Sequence, residues 1–224
     1  MTRLRRSSGW ITAVVLGTTV AIGLFVVPAD QLQGDAQRIM YVHVPAAWLA
    51  YLAFFVTLVG GVGYLVRGDM GWDRLAAASA ELGLLFTAAT IVSGSIWGKV
   101  TWGVWWAWDP RLTTTAIMFL VYAAYVLLRA SIADRQRRAR LSAVLGIVGF
   151  VNVPIVHLSV LWWRGLHQAP TILRPGSPTI APVMLAVLLA NLGAFTLAYA
   201  WLLRERMDLD QSRDVLERRL EEAR

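Results

Sequence analysis

The sequence predicts an all-α integral membrane protein, a bundle of six transmembrane helices with both termini on the cytoplasmic side. Three observations carry that prediction. Hydrophobic residues make up 57% of the 224 positions and charged residues only 16%, values outside the range of a water-soluble domain. The apolar residues gather into six nearly uncharged runs, at 10–27, 44–66, 75–96, 112–128, 141–161 and 180–203. At about 1.5 Å of rise per residue, each covers most or all of a roughly 30 Å hydrocarbon core, given some tilt.

Taken in order, helix one follows Arg3, Arg5 and Arg6, a pattern shared with secretory leaders. No A-x-A-like site follows Val27, so the segment is expected to be retained. Helix two begins close to Pro45, which is tolerated in a first helical turn, so His43 stands near its outer cap. Gly60, Gly61 and Gly63 predict that this helix approaches a neighbour closely. Helix three carries Glu81 seven residues past Arg74, roughly 10 Å in, where a carboxylate needs a partner. It is expected to snorkel or to hydrogen-bond to a neighbouring helix, rather than to act as a proton relay.

Helix four follows a loop that runs from Trp97 to Thr114. Helix five contains Pro154, which removes a backbone hydrogen bond near Phe150 and bends the helix. Asn152 is the candidate for satisfying the freed backbone. His157 follows on the same helix, five residues before Trp162 and so roughly 7 Å below the interface. Asn191 in helix six is expected to act as interhelical packing glue. From Arg204 onward both charge signs are dense, and Leu209, Leu216 and Leu220 suggest a short amphipathic extension, a solvated helix in preference to a weak contact for a cytoplasmic partner. No repeat or linker divides the chain, so residues 1–203 form one membrane domain and 204–224 a charged cytoplasmic tail.

Charge fixes the orientation, because cytoplasmic loops keep an excess of Lys and Arg. Sixteen of the 21 basic residues lie at the N-terminus, in 67–74, in 129–140 or beyond 203; only Arg38, Lys99, Arg111, Arg164 and Arg174 lie on the other side. Three loops therefore face outward, at about 28–43, 97–111 and 162–179. The net charge of +7 expresses topology and not nucleic-acid binding, since the basic residues and the stacking aromatics are separated by a bilayer. The absence of cysteine removes disulfides, thiolate metal sites and covalent haem attachment to this chain.

Five of the eleven tryptophans, Trp97, Trp102, Trp105, Trp106 and Trp108, crowd into the segment WGKVTWGVWWAWDPRLTT with Gly98, Lys99, Gly103, Asp109 and Arg111. An interfacial aromatic belt accounts for one or two indoles per helix end, not five in twelve residues. Broad indole faces and glycines that permit close backbone approach suit a large flat ligand. The chain has three histidines, all near the outer side: His43, His157 and His167 in the last outer loop. Two imidazoles on separate helices beside a slab of indoles fit a planar metal macrocycle, and haem iron accepts axial histidine. A bare zinc site would need a cluster of three or four close ligands, which is not there. The propionates would take cations from Arg38, Lys99, Arg111 and Arg164, and Asp109 would orient an Arg or an indole N–H.

WGKVTWGVWWAWDPRLTT is similar to the tryptophan-rich signature of haem-handling proteins. With PADQLQGDAQRIMYVHVPAAW and VNVPIVHLSVLWWRGLHQ, it resembles the cytochrome c maturation protein C family, also called haem exporter protein C, over about residues 28–179. The resemblance implies a bacterial inner-membrane haem chaperone, not an enzyme. Haem b in transit would be held at the outer face by His43 and His157 and passed to a membrane-anchored periplasmic haem chaperone. It also implies an ABC transporter and a small single-helix membrane subunit as partners. Pro110 after Asp109 departs from the family pattern and is similar to the related haem-lyase branch. The rival readings are a haem-b electron-transfer subunit, a haem lyase acting on apocytochrome c, and a proton- or solute-coupled transporter using Glu81 and His157.

Overall fold

The computed structural model describes residues 3–222 apart from 164, 169, 170, 173 and 174, with side chains from Ser7 onward except at 217, 218 and 221. Among the described residues there is no β-strand. The helices are α1 (Arg3–Ala21), α2 (Met40–Arg67), α3 (Met70–Trp102), α4 (Pro110–Ser131), α5 (Arg135–Phe150), α6 (Asn152–Trp162) and α7 (Pro182–Glu222). A π-helical turn at Ile22–Val26 prolongs α1, and a 3-10 turn at Asp35–Ile39 leads into α2. Six segments are long and apolar enough to cross a membrane, with α5 and α6 together forming the fifth, Arg135–Trp162.

Helix α2 lies at the centre, against α3, α5 and α7; α4 packs on α3, α5 and α6, while α1 rests on α7. Small residues set the closest contact. A Cβ on Gly63 would lie 2.5 Å from the Trp72 ring, and one on Gly60 would lie 2.9 Å from the Trp72 carbonyl oxygen. This is the close α2–α3 approach that the glycines predict. The main core joins Phe54 of α2, Met118, Tyr122 and Tyr125 of α4, and Val153 and Val156 of α6. Phe54 stacks on Tyr122 with ring centroids 3.4 Å apart. Lipid gives such a core little solvent-driven gain, so dense van der Waals contact holds it. Trp10, Ile11 and Val14 of α1 stay exposed, as a helix facing acyl chains requires.

Several polar side chains are paired across helices. Arg206 of α7 donates to both carboxylate oxygens of Glu81, at 2.6 and 2.8 Å, which is the interhelical bond expected for that residue. Asn191 Nδ2 donates to the Thr19 carbonyl of α1 at 3.0 Å. Arg129 of α4 grips Asp73 of α3 through two bonds of 2.6 and 3.0 Å. Helix α7 runs unbroken past the membrane, where Arg74 and Arg135 both reach Asp214. Leu209, Leu216 and Leu220 are each more than half exposed.

The fifth crossing breaks at Val151, three residues before Pro154. Asn152 does not serve the carbonyl that Pro154 leaves unpaired; its Nδ2 donates instead to the Thr114 carbonyl of α4, at 2.8 Å. The freed turn lets α6 lean on α4 independently of α5.

Candidate functional site

The tryptophan segment is more helical than its sequence suggests. Helix α3 continues to Trp102, so Trp97, Gly98 and Lys99 stand on a rigid helix end and only residues 103–109 form the loop. The terminus is sealed locally. Lys99 Nζ donates to the Gly103 carbonyl at 2.9 Å, and Gly103, at φ 78°, adopts the left-handed turn that ends a helix. Asp109 then caps α4, its Oδ1 accepting from the Arg111 backbone N–H at 2.8 Å with Pro110 at the first helical position.

The three histidines occupy distinct settings. His43, half-buried in the first turn of α2, places its Nδ1 3.1 Å from Ser93 Oγ of α3 and its ring edge-on to Trp97, centroids 5.7 Å apart. A Cβ on Gly94 would lie 2.8 Å from His43 Cε1, so the imidazole can lie on α3 only because Gly94 is bare. His157 of α6 is exposed and meets Tyr51 of α2 edge-on at 6.2 Å. Its position follows from the packing: Val153, Val156 and Ser159 bury one face of α6, which turns His157 away from that face. Arg111 of α4 reaches α6. Its Nη2 donates to the His157 carbonyl at 3.1 Å, and among the described residues its buried Nε has no hydrogen-bond partner.

His167 belongs to a latch between the last outer loop and the tryptophan loop. Its Nδ1 lies 3.1 Å from Asp109 Oδ1, and the Leu166 backbone N–H donates to Asp109 Oδ2 at 2.6 Å. Gly165 leaves room for the carboxylate, since a Cβ there would sit 2.2 Å from Oδ2. Burial alone would raise the Asp109 carboxyl. The N–H groups of Leu166 and Arg111, with the His167 imidazole, outweigh it and hold the carboxyl below its ordinary range. For His167, burial lowers the imidazole and Arg111 adds to this, while Asp109 offsets only part. The pair is therefore a neutral imidazole N–H donating to a carboxylate at neutral pH.

The predicted residues thus divide into those the fold brings together and those it does not. His43, His157, Arg111, Trp97 and the Asp109 latch gather at one end of the bundle. Trp102 packs edge-on against His167, centroids 4.9 Å apart, and a Cβ on Gly98 would lie 3.2 Å from the Trp102 ring. Trp106 lies edge-on to Trp108, while Trp105 and Trp108 are 59% and 81% exposed, leaving the face open. Arg38 turns elsewhere, donating to the Leu24 carbonyl at 2.9 Å and pairing with Asp35. Lys99 is held at its own helix end, and Arg164 lies outside the described residues. Among the described residues Asp109 accepts from no indole N–H, because Arg111 and His167 take its Oδ1 and Leu166 takes its Oδ2. The Trp97 indole donates instead to Gln33 Oε1 at 2.9 Å. Ser93, Gly94, Gly165 and Gln33 escape a reading by chemical type. A signal for the first two is visible, since Ser93 and Gly94 lie one helical turn before Trp97 and share its face.

The family model described as Heme exporter protein C matches residues 1–224. Heme exporter protein C of Haemophilus influenzae is 39% identical over 202 residues, 89% of this chain and 82% of the relative. That of Bradyrhizobium diazoefficiens is 38% identical over 196 residues, 86% of this chain and 74% of its own length. That of Escherichia coli strain K12 is 36% identical over 213 residues, covering 92% and 85%. With the family model spanning every residue and the six-helix bundle in place, the chain belongs to the Heme exporter protein C family.

Proposed function

We propose that this protein handles haem for cytochrome c maturation, holding it at the outer face of the inner membrane and delivering it to a membrane-anchored periplasmic haem chaperone. The names of its relatives bring haem to this chain as cargo. The observation that carries the reading is that Arg111 of α4 holds the His157 carbonyl of α6 at the same end of the bundle where His43 of α2 meets Trp97, the first indole of the tryptophan segment on α3. Imidazole is an axial ligand of haem iron, and Arg111 has a buried N–H without a partner among the described residues, which a propionate would satisfy. The open face at Trp105 and Trp108 leaves an edge of the cargo within a partner's reach.

In this reading the chain makes and breaks no covalent bond. His43 and His157 ligate iron as neutral imidazoles, Trp97 and the loop indoles lie against the porphyrin, and Asp109 holds the surrounding loops in place. The cargo is haem b, and its delivery involves an ABC transporter and a small single-helix subunit. The excess of basic residues at the opposite end supports a periplasmic orientation of the tryptophan end. The test is the absorption spectrum of the purified full-length protein loaded with haem. A six-coordinate spectrum that weakens or alters in His43→Ala and in His157→Ala is expected; a spectrum unchanged in both removes them as ligands.

A further inference from the structure

We infer that Ser93 is a positioning residue for His43, fixing the tautomer that leaves Nε2 as the nitrogen open to a metal. The inference rests on the haem-ligand reading of His43 and deepens it. Ser93 Oγ lies 2.6 Å from the Ala89 carbonyl and 3.3 Å from the Thr90 carbonyl, both in the preceding turn of α3. A serine hydroxyl has one proton and two lone pairs, while a carbonyl can only accept. The 2.6 Å contact commits the proton to Ala89, so towards His43 Nδ1 at 3.1 Å the oxygen is an acceptor. Nδ1 therefore carries the ring proton, and Nε2 carries the lone pair.

Packing keeps that arrangement from relaxing. Gly94 gives the ring its seat, with His43 Cε1 2.8 Å from where a Cβ would stand, and Trp97 meets the ring edge-on. The imidazole is held between Ser93, Gly94 and Trp97, which share one face of α3. A hydrogen bond from the distal N–H of a ligating imidazole orients the ring and raises its basicity, and losing such a partner costs roughly 10–100-fold in metal affinity. Ser93 is one helical turn from the tryptophan signature, and its assigned role acts through His43.

The chain's three histidines make a direct test practical. Ring-nitrogen-15 spectra of the haem-free, full-length protein in nanodiscs, with His43→Ala to assign the signals, report which nitrogen is protonated. The expected result is an Nδ1-protonated His43, mixed tautomers in Ser93→Ala and restoration in Ser93→Thr, which keeps the hydroxyl. Titration of the same proteins with haemin should show affinity lower by about tenfold or more in Ser93→Ala only. An Nε2-protonated His43 in the wild type, or a Ser93→Ala variant unchanged in tautomer and affinity, overturns the inference while the ligand reading stands. A His43→Ala variant that binds haem with an unaltered spectrum overturns the ligand reading, and the role of Ser93 with it.

Discussion

Replacing Asp109 should release the last outer loop from the tryptophan loop by an amount that its contacts set. The carboxylate is 6% exposed and receives three donors: the Arg111 N–H at 2.8 Å, the Leu166 N–H at 2.6 Å and the His167 imidazole at 3.1 Å. A hydrogen bond to a charged group is worth about 1.5–3 kcal/mol net. Asp109→Asn keeps the shape but must turn its amide N–H₂ toward Leu166 or toward Arg111 and His167, setting donor against donor either way. The expected loss is about 2 kcal/mol, or roughly 30-fold in the opening equilibrium of the loop. Asp109→Ala removes all three acceptor contacts. Only the two from Leu166 and His167 bridge the loops, and at about 2 kcal/mol each their loss comes to about 4 kcal/mol, roughly a thousandfold in opening. Hydrogen exchange of the full-length protein in nanodiscs, followed at the Leu166 amide, reads both values, with the middle of α4 as the reference for intact folding. Leu166 exchange in Asp109→Ala indistinguishable from wild type would refute the latch.

Acid should weaken the same contact. The folded state holds His167 below its ordinary value of 6.5, so it takes up a proton less readily than the unfolded chain. Its contribution is complete above that value and falls as the pH drops below it; Asp109, also held low, adds a second loss at still lower pH. Leu166 exchange corrected for intrinsic rate should therefore rise between pH 7.5 and pH 5.5 in the wild type but stay flat in His167→Gln, and a flat wild-type profile would contradict the assignment. Gly94→Ala places a Cβ 2.8 Å from His43 Cε1, so the ring must leave its seat; the His43 nitrogen-15 signals should shift while α3 exchange stays constant. Arg129→Met leaves the Asp73 carboxylate, 4% exposed, without its bidentate partner. A loss of about 3–5 kcal/mol in a reversible unfolding assay is expected, largely recovered in Arg129→Met with Asp73→Asn, since the cost arises from the unpaired charge.

Much of the architecture is legible before any coordinates, because each crossing announces itself as an apolar run and each long loop as an interruption. The glycine cluster at 60–63 and the pairing of Glu81 follow from elementary constraints as well: a backbone without side chains can be approached, and a carboxylate in lipid requires a partner. Element ends are less legible. Trp97 to Trp102 reads as loop because of its glycines and mixed polarity, yet a lysine that reaches its own terminal carbonyl lets α3 run on. Partner identities are the least legible. Asn152 and Arg38 both carry donors suited to the expected task, but each finds a nearer acceptor on a different helix or turn. Ser93 and Gly94 are invisible by chemical type, since their role comes from which face of α3 they share with Trp97.

That shared face makes the angular phase of α3 a quantity under constraint. Each added or removed residue turns everything beyond it by about 100° around the axis and shifts it by 1.5 Å. A single-residue insertion between Gly94 and Trp97 would swing Trp97 out of the wall around His43 while leaving composition, hydropathy and the length of the crossing nearly unchanged. The same insertion at Val104, beyond the end of the helix, would be absorbed by a turn. Length variation among sequences of this architecture should accordingly be permitted in 103–108 and forbidden one turn earlier.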